Sequence, residues 1–182
     1  VRYYKLADNV TIPGRWHLST VETPHGLEPL LVEGTLCSPV PLSAKISHPG
    51  NELDFSLTSF AVPVARSSLA AAIEAVANGD VQRLPLAIPG HNGFEVINAL
   101  RVISCLDESR SEFTKWTPTD HRADLAGQYR MVTNLKILPG RIPADAHVLR
   151  VEGWTVALVI SEVVKAAMER AGCFGAKFVE VT

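Results

Sequence analysis

Only two stretches of this chain carry helical periodicity, and they stand among many runs that alternate like strands. In the first, Leu69, Ala72, Ile73 and Val76 fall at i, i+3, i+4 and i+7 and form one apolar stripe. Ser67 or Ser68 is placed to cap its start, and Gly79 to stop it. In the second, Val164, Ala167, Met168 and Ala171 repeat the spacing after Ser161 and Glu162, and Gly172 ends it. The expected helices are 67–78 and 161–171, both rich enough in alanine to lie close against a sheet.

The expected strands are 82–88, 94–105, 129–138, 147–151, 154–160 and 176–181. Along 94–105, Phe94, Val96, Leu100 and Val102 face one way and Ile97, Ala99 and Ile103 the other, which places the run centrally in its sheet. Pro89-Gly90-His91-Asn92-Gly93 and Glu152-Gly153 read as hairpin turns. Strands joined by short turns, with two helices only, imply an α+β fold with a mainly antiparallel sheet and both helices packed on it. Residues 1–182 read as a single domain.

Two regions read as irregular. Residues 19–50 carry five prolines, at 24, 29, 39, 41 and 49, and are expected as edge strand and loop. Residues 107–124 read as a charged surface loop of the length that is often functional. The opening segment, Tyr3-Tyr4-Lys5-Leu6-Ala7-Asp8 and then Pro13-Gly14-Arg15-Trp16, reads as a turn-like stretch whose aromatics close a core or mark a contact surface. Trp16 is expected to plug the end of the sheet, Arg15 to bridge an internal acid such as Asp54, and Trp154 to be core.

Composition narrows the function classes. A formal net charge of −2 argues against nucleic-acid binding, which usually needs a basic stripe. The longest apolar run, 156–160, is strand-sized, so no membrane span is expected. The start has no signal pattern and begins at Val1 rather than Met, so it is expected to be trimmed or processed. Cys37, Cys105 and Cys173 form no C-x-x-C pair, which implies neither a disulfide framework nor a zinc site but reduced thiols in the cytoplasm.

The six histidines, at 17, 25, 48, 91, 121 and 147, lack the spacing that puts two on one helical face, so no metal is assigned. Without a nucleophile elbow or a phosphate-cradling glycine loop, no cofactor and no catalytic residue are assigned either. The run Asp107-Glu108-Ser109-Arg110-Ser111-Glu112 has a bland reading, a solvated turn with serine hydroxyls bonded locally. It also has functional readings: acid–base pair, cation ligand, or dock for a basic partner. Docking leads among these, because no histidine or lysine is read as completing a catalytic set. The contact set is Asp107, Glu108, Glu112 and Trp116. The rival from another class is a small hydrolase or transferase using the acidic loop 107–112. A third reading is a subunit whose apolar patch is covered by its own copy in a homodimer.

Scattered motifs point one way together. They are Tyr3-Tyr4-x-Leu6-x-Asp8, Gly14-Arg15-Trp16-x-Leu18, Leu53-Asp54-Phe55 and Phe60-x-Val62-Pro63-Val64. Val96-Ile97-Asn98, Cys105-Leu106-Asp107 with Ser111-Glu112, and Leu149-Arg150 before Trp154 follow in order. The tail supplies Val159-Ile160-Ser161-Glu162-x-Val164-Lys165 and Gly172-Cys173-Phe174-Gly175-Ala176-Lys177-Phe178. In these pieces the chain resembles immunity-protein family eleven of bacterial polymorphic toxin systems. Residues 19–50 match little beyond Gly26 and Gly34. The resemblance implies a cytoplasmic protein that binds and neutralises a cognate protein toxin, with no enzymatic activity to carry over. It also implies that variable loops, rather than the shared motifs, make the contact.

Overall fold

The computed structural model describes residues 1–27 and 29–182. It is an α+β fold of two larger sheets, two small ribbons and two α-helices, with most strand pairs antiparallel. The five-stranded sheet runs, in order across it, Val102–Ile103, Val148–Val151, Trp154–Ser161, Tyr3–Asp8 and Ala176–Glu180. The seven-stranded sheet runs Gly26–Leu27, Glu22–Thr23, Leu42–Ser43, Val81–Ile88, His91–Ala99, Pro63–Arg66 and Phe55–Leu57. Helix α1 is Ser67–Val76 and α2 is Glu162–Arg170. Among the described residues no helix is long and apolar enough to cross a membrane.

Three hydrophobic clusters follow from the period of two. Tyr4, Leu6, Leu158 and Ile160 of the five-stranded sheet meet Ala65, Ile97 and Ala99 of the seven-stranded one. Leu69, Ile73, Val164 and Met168 of the helices complete this first cluster. On the opposite face of the larger sheet, Val64, Leu86, Phe94 and Val96 enclose Trp16. On the opposite face of the smaller sheet, Tyr3, Leu149, Val159 and Val181 form the third. The strand His91–Ala99 therefore buries both faces, which is why it carries no polar alternation.

The structure corrects several expectations. The opening segment is no turn: Tyr3–Asp8 is an inner strand, paired with Trp154–Ser161 on one side and Ala176–Glu180 on the other. Its neighbouring tyrosines fill opposite cores, so the run lacked the apolar alternation of a recognisable strand. The run 94–105 divides: its first part stays in the larger sheet, while Val102 and Ile103 pair with Arg150 and Val151 in the smaller. Arg15 pairs with Asp8 at 3.1 Å, whereas Asp54 is held by Arg66 at 3.0 Å. Trp16 is buried and its indole N–H donates to Ser56 Oγ at 3.1 Å. Trp154 is only half-buried, packed on the third cluster. Neither Ser67 nor Ser68 caps α1; Arg66 is the N-cap residue and makes no side-chain capping bond.

Candidate protein-contact surface

Residues 107–124, expected as loop throughout, contain a strand. Glu112–Lys115 pairs with Tyr129–Asn134 in an antiparallel ribbon whose register shifts twice. Glu-Phe-Thr-Lys offers a single large apolar residue, too little alternation to announce a strand. Its other support is tertiary: Phe113 and Tyr129 pack on the third cluster, in which Val132 is buried. Thr114, Arg130, Met131 and Thr133 remain exposed to solvent.

Asp107 fastens the entry to this ribbon. Its backbone N–H donates to Lys136 O at 2.9 Å. Its carboxylate accepts from Ser109 N (3.0 Å), Ser109 Oγ (2.6 Å) and Arg110 Nε (2.6 Å), while Arg110 also donates to Ile137 O. The Ser109 hydroxyl and the Arg110 guanidinium hold the carboxyl down at about 2. The side chain is buried, so its charge shapes the turn from inside.

Glu108 is exposed, yet its Oε1 accepts from Lys115 Nζ and Tyr129 OH, each at 2.6 Å. Those two donors lower its pKa, Lys115 first. Burial, and then the bond to Glu108, push the Tyr129 phenol up to about 12. Lys115 Nζ also stands 5.0 Å from the Tyr129 ring centroid and 5.4 Å from that of Phe113. So a lysine does lie beside the acidic run, and it forms an ion pair there. Glu112 is exposed, with no ion pair or side-chain hydrogen bond among the described residues.

Trp116 sits at the far end of the strand, half-buried. Its N–H donates to Gln128 O and its carbonyl accepts from Gly127 N, closing the ribbon end. Arg130 Cζ lies 4.7 Å from its ring centroid and His121 meets the ring edge-on at 5.3 Å. Asp120 pairs with Arg130 and accepts from Thr117 N. Glu112 and Trp116 are separated by roughly 13 Å of extended chain, so they mark opposite ends of one surface.

The ribbon thus bonds Glu108 to Lys115 and Tyr129, holds Trp116 separately against Arg130 and His121, leaves Glu112 apart, and turns Asp107 inward. Lys115, Tyr129 and Arg130 were missed from the sequence; Tyr129 was read only as a strand residue, and Arg130 is separated from Trp116 by the intervening loop. Pairing has changed the electrostatics as well, since Glu108, Asp120 and Asp124 each meet a cation. What remains is a set of preset aromatic–cation stacks whose side chains have little conformational entropy left to lose. Among the described residues no three His, Cys, Asp or Glu side chains gather to hold a metal. Burial pushes the Cys105 thiol next to this loop up to about 11, far from thiolate chemistry at neutral pH.

A comparison with curated proteins gave no match. A family model covers the chain from the inner strand of the larger sheet to the last residue, including the ribbon, α2 and four of the five strands of the smaller sheet. The motifs quoted from residues 1–93 lie outside that segment. Over residues 94–182 this chain matches the immunity protein family (Imm11), the same family that the order of its sequence motifs resembles.

Proposed function

We propose that this chain neutralises a cognate protein toxin by direct contact, and that the ribbon of residues 112–134 with the turn at 107–111 makes part of that contact. The observation that carries the reading is the coincidence of two findings: the immunity-family match spans the whole ribbon, and the ribbon presents the Trp, Tyr and Arg side chains favoured at binding hot spots. Within it, Glu108, Glu112 and Trp116 touch the toxin, and Asp107 acts by holding the turn that presents them. The meeting takes place in the cytoplasm of the cell that makes both proteins.

Binding is favoured over catalysis by the state of the acidic groups. An acid–base pair needs one carboxyl able to carry a proton near neutral pH. Asp107 and Glu108 are both shifted the other way, by donors that grip their oxygens.

The test is capture from lysate of the source organism with this protein as bait, followed by mass spectrometry. A stoichiometric partner encoded beside this gene, whose purified toxic domain is inhibited by the bait, supports the reading. If that neighbour is expressed and is neither bound nor inhibited, the reading falls.

A further inference from the structure

The face of the five-stranded sheet that carries the third cluster is only partly covered. Register places Tyr3, Lys5 and Ala7 on this face together with Lys177, Val179 and Val181, because Lys5 is opposite Val179 and Ala7 is opposite Lys177. Tyr3 and Val181 are buried beneath Leu135 and Ile137, the chain that leaves the ribbon. Beyond them the cover stops. The uncovered part is a cleft of about 290 Å³ between the two strands and Thr133, Asn134 and Leu135.

Its lining is amphipathic in a specific way. Val179 at 42% exposure and Val10 at 70% present apolar surface to solvent beside Ala7 and Leu135. Lys5 and Lys177 stand on the same floor as diagonal neighbours, roughly 7–8 Å apart by strand geometry. Neither side chain has an ion pair, a hydrogen bond or a ring contact among the described residues. The acid in the lining, Asp8, is already engaged: Oδ1 accepts from Leu57 N at 2.7 Å and Oδ2 pairs with Arg15 at 3.1 Å. Glu180 belongs to the opposite face, across from Tyr4. Two cations therefore repel each other over apolar ground with no anion between them, and the rim offers the Asn134 amide as a hydrogen-bonding group, the Thr133 hydroxyl beside it already donating to Glu112 O at 3.3 Å.

We infer that this cleft receives an acidic segment of the protein partner, an extended stretch in which a carboxylate flanked by apolar side chains comes to rest between Lys5 and Lys177. The volume suits one or two side chains and falls just below the usual range of a small-molecule site. Thr133 belongs to both the cleft rim and the ribbon, so one partner can cover both. The inference rests on the toxin-binding reading and extends it by stating the partner's chemistry.

The probe is a blocked four-residue peptide alternating Asp and Val, compared with its twin alternating Asn and Val, followed by amide NMR shifts of the intact chain. The acidic peptide is expected to give saturable shifts at Lys5, Thr133, Asn134 and Lys177, at least about tenfold weaker for Lys5→Gln/Lys177→Gln and absent for the amide twin. Equal shifts with both peptides, or shifts unchanged in the double variant, overturn the inference. Lys177 is exposed and Lys5 half-buried, and neither side chain makes a polar contact among the described residues, so exchange for glutamine breaks no bond within the fold. If the captured toxin binds the wild type and the double variant equally, the toxin reading stands and the cleft inference falls. If no toxin is captured while the acidic peptide still saturates the cleft, the anion-binding cleft stands and the toxin reading falls.

Discussion

The guanidinium of Arg150, buried in the smaller sheet, donates to the carbonyl of Ala61, 3.1 Å away in the turn that links two strands of the larger sheet. Ala61 is, among the described residues, the non-glycine residue with positive φ, at 57°, and its N–H closes that turn on Thr58 O. Arg150 also donates to Thr155 O and Val156 O, and it has no ion pair among the described residues. A buried cation held by carbonyls alone, through its two terminal nitrogens while its Nε has no partner, thus stitches the two sheets at a strained point.

Replacing Arg150 with Met is expected to destabilise the fold by about 1–3 kcal/mol, because carbonyl groups lose their donors in a buried site. Ala61→Gly is expected to stabilise it by about 1 kcal/mol, since glycine adopts positive φ without penalty. Burial lowers the arginine pKa from 12.5 to about 10, so the unfolded chain holds the proton longer than the native one. Stability of the wild type should rise relative to Arg150→Met only above about pH 10. Denaturant melts at pH 7 and pH 11 check all three statements.

Acid should loosen the turn at Asp107 in a defined window. Its folded pKa of about 2 lies below the ordinary 3.8, so its contribution is complete above pH 4 and is lost as pH falls through about 2. Thermal melts of the wild type and Asp107→Asn should differ most above pH 4 and converge toward pH 2. A gap that stays constant over that range would show that the carboxylate charge does not hold the turn.

At the ribbon surface, Trp116→Ala is expected to weaken toxin binding by about 2 kcal/mol or more, through a faster off-rate. Glu112→Lys should chiefly change the on-rate and its salt dependence, because Glu112 has no internal partner. Surface plasmon resonance at two ionic strengths separates the effects. Unaltered kinetics in both variants would remove the ribbon from the interface.

Thiol chemistry should be slow in the native state. Burial pushes Cys105 and Cys173 each up to about 11, so little thiolate exists at neutral pH. Alkylation at pH 7.5 should leave both intact until denaturant is added, as read by mass spectrometry.

Much of the fold was legible where a single core face imposed a period. The helix stripes at Leu69–Ile73 and Val164–Met168 and the doubly buried strand around Val96 each reflect one local environment. The strand Tyr3–Asp8 was not, because its tyrosines serve two cores and its lysine lies on an uncovered face. The ribbon was not, because Glu112–Lys115 is ordered by partners elsewhere in the chain: Tyr129, Val132 and the third cluster. The acidic run was visible as composition, but its meaning depended on Lys115 and Tyr129, which pairing brings to Glu108.

The position of the Tyr3–Asp8 strand sets the order of events during synthesis. Both of its hydrogen-bonding neighbours, Trp154–Ser161 and Ala176–Glu180, come from the far end of the chain. At about 5–20 residues per second, translation takes roughly 9–35 s to pass from Asp8 to Glu180. During that interval the strand has no partner on either side and must be kept from pairing elsewhere. The five-stranded sheet, and anything built on it, exists only once the ribosome has delivered the strand Ala176–Glu180.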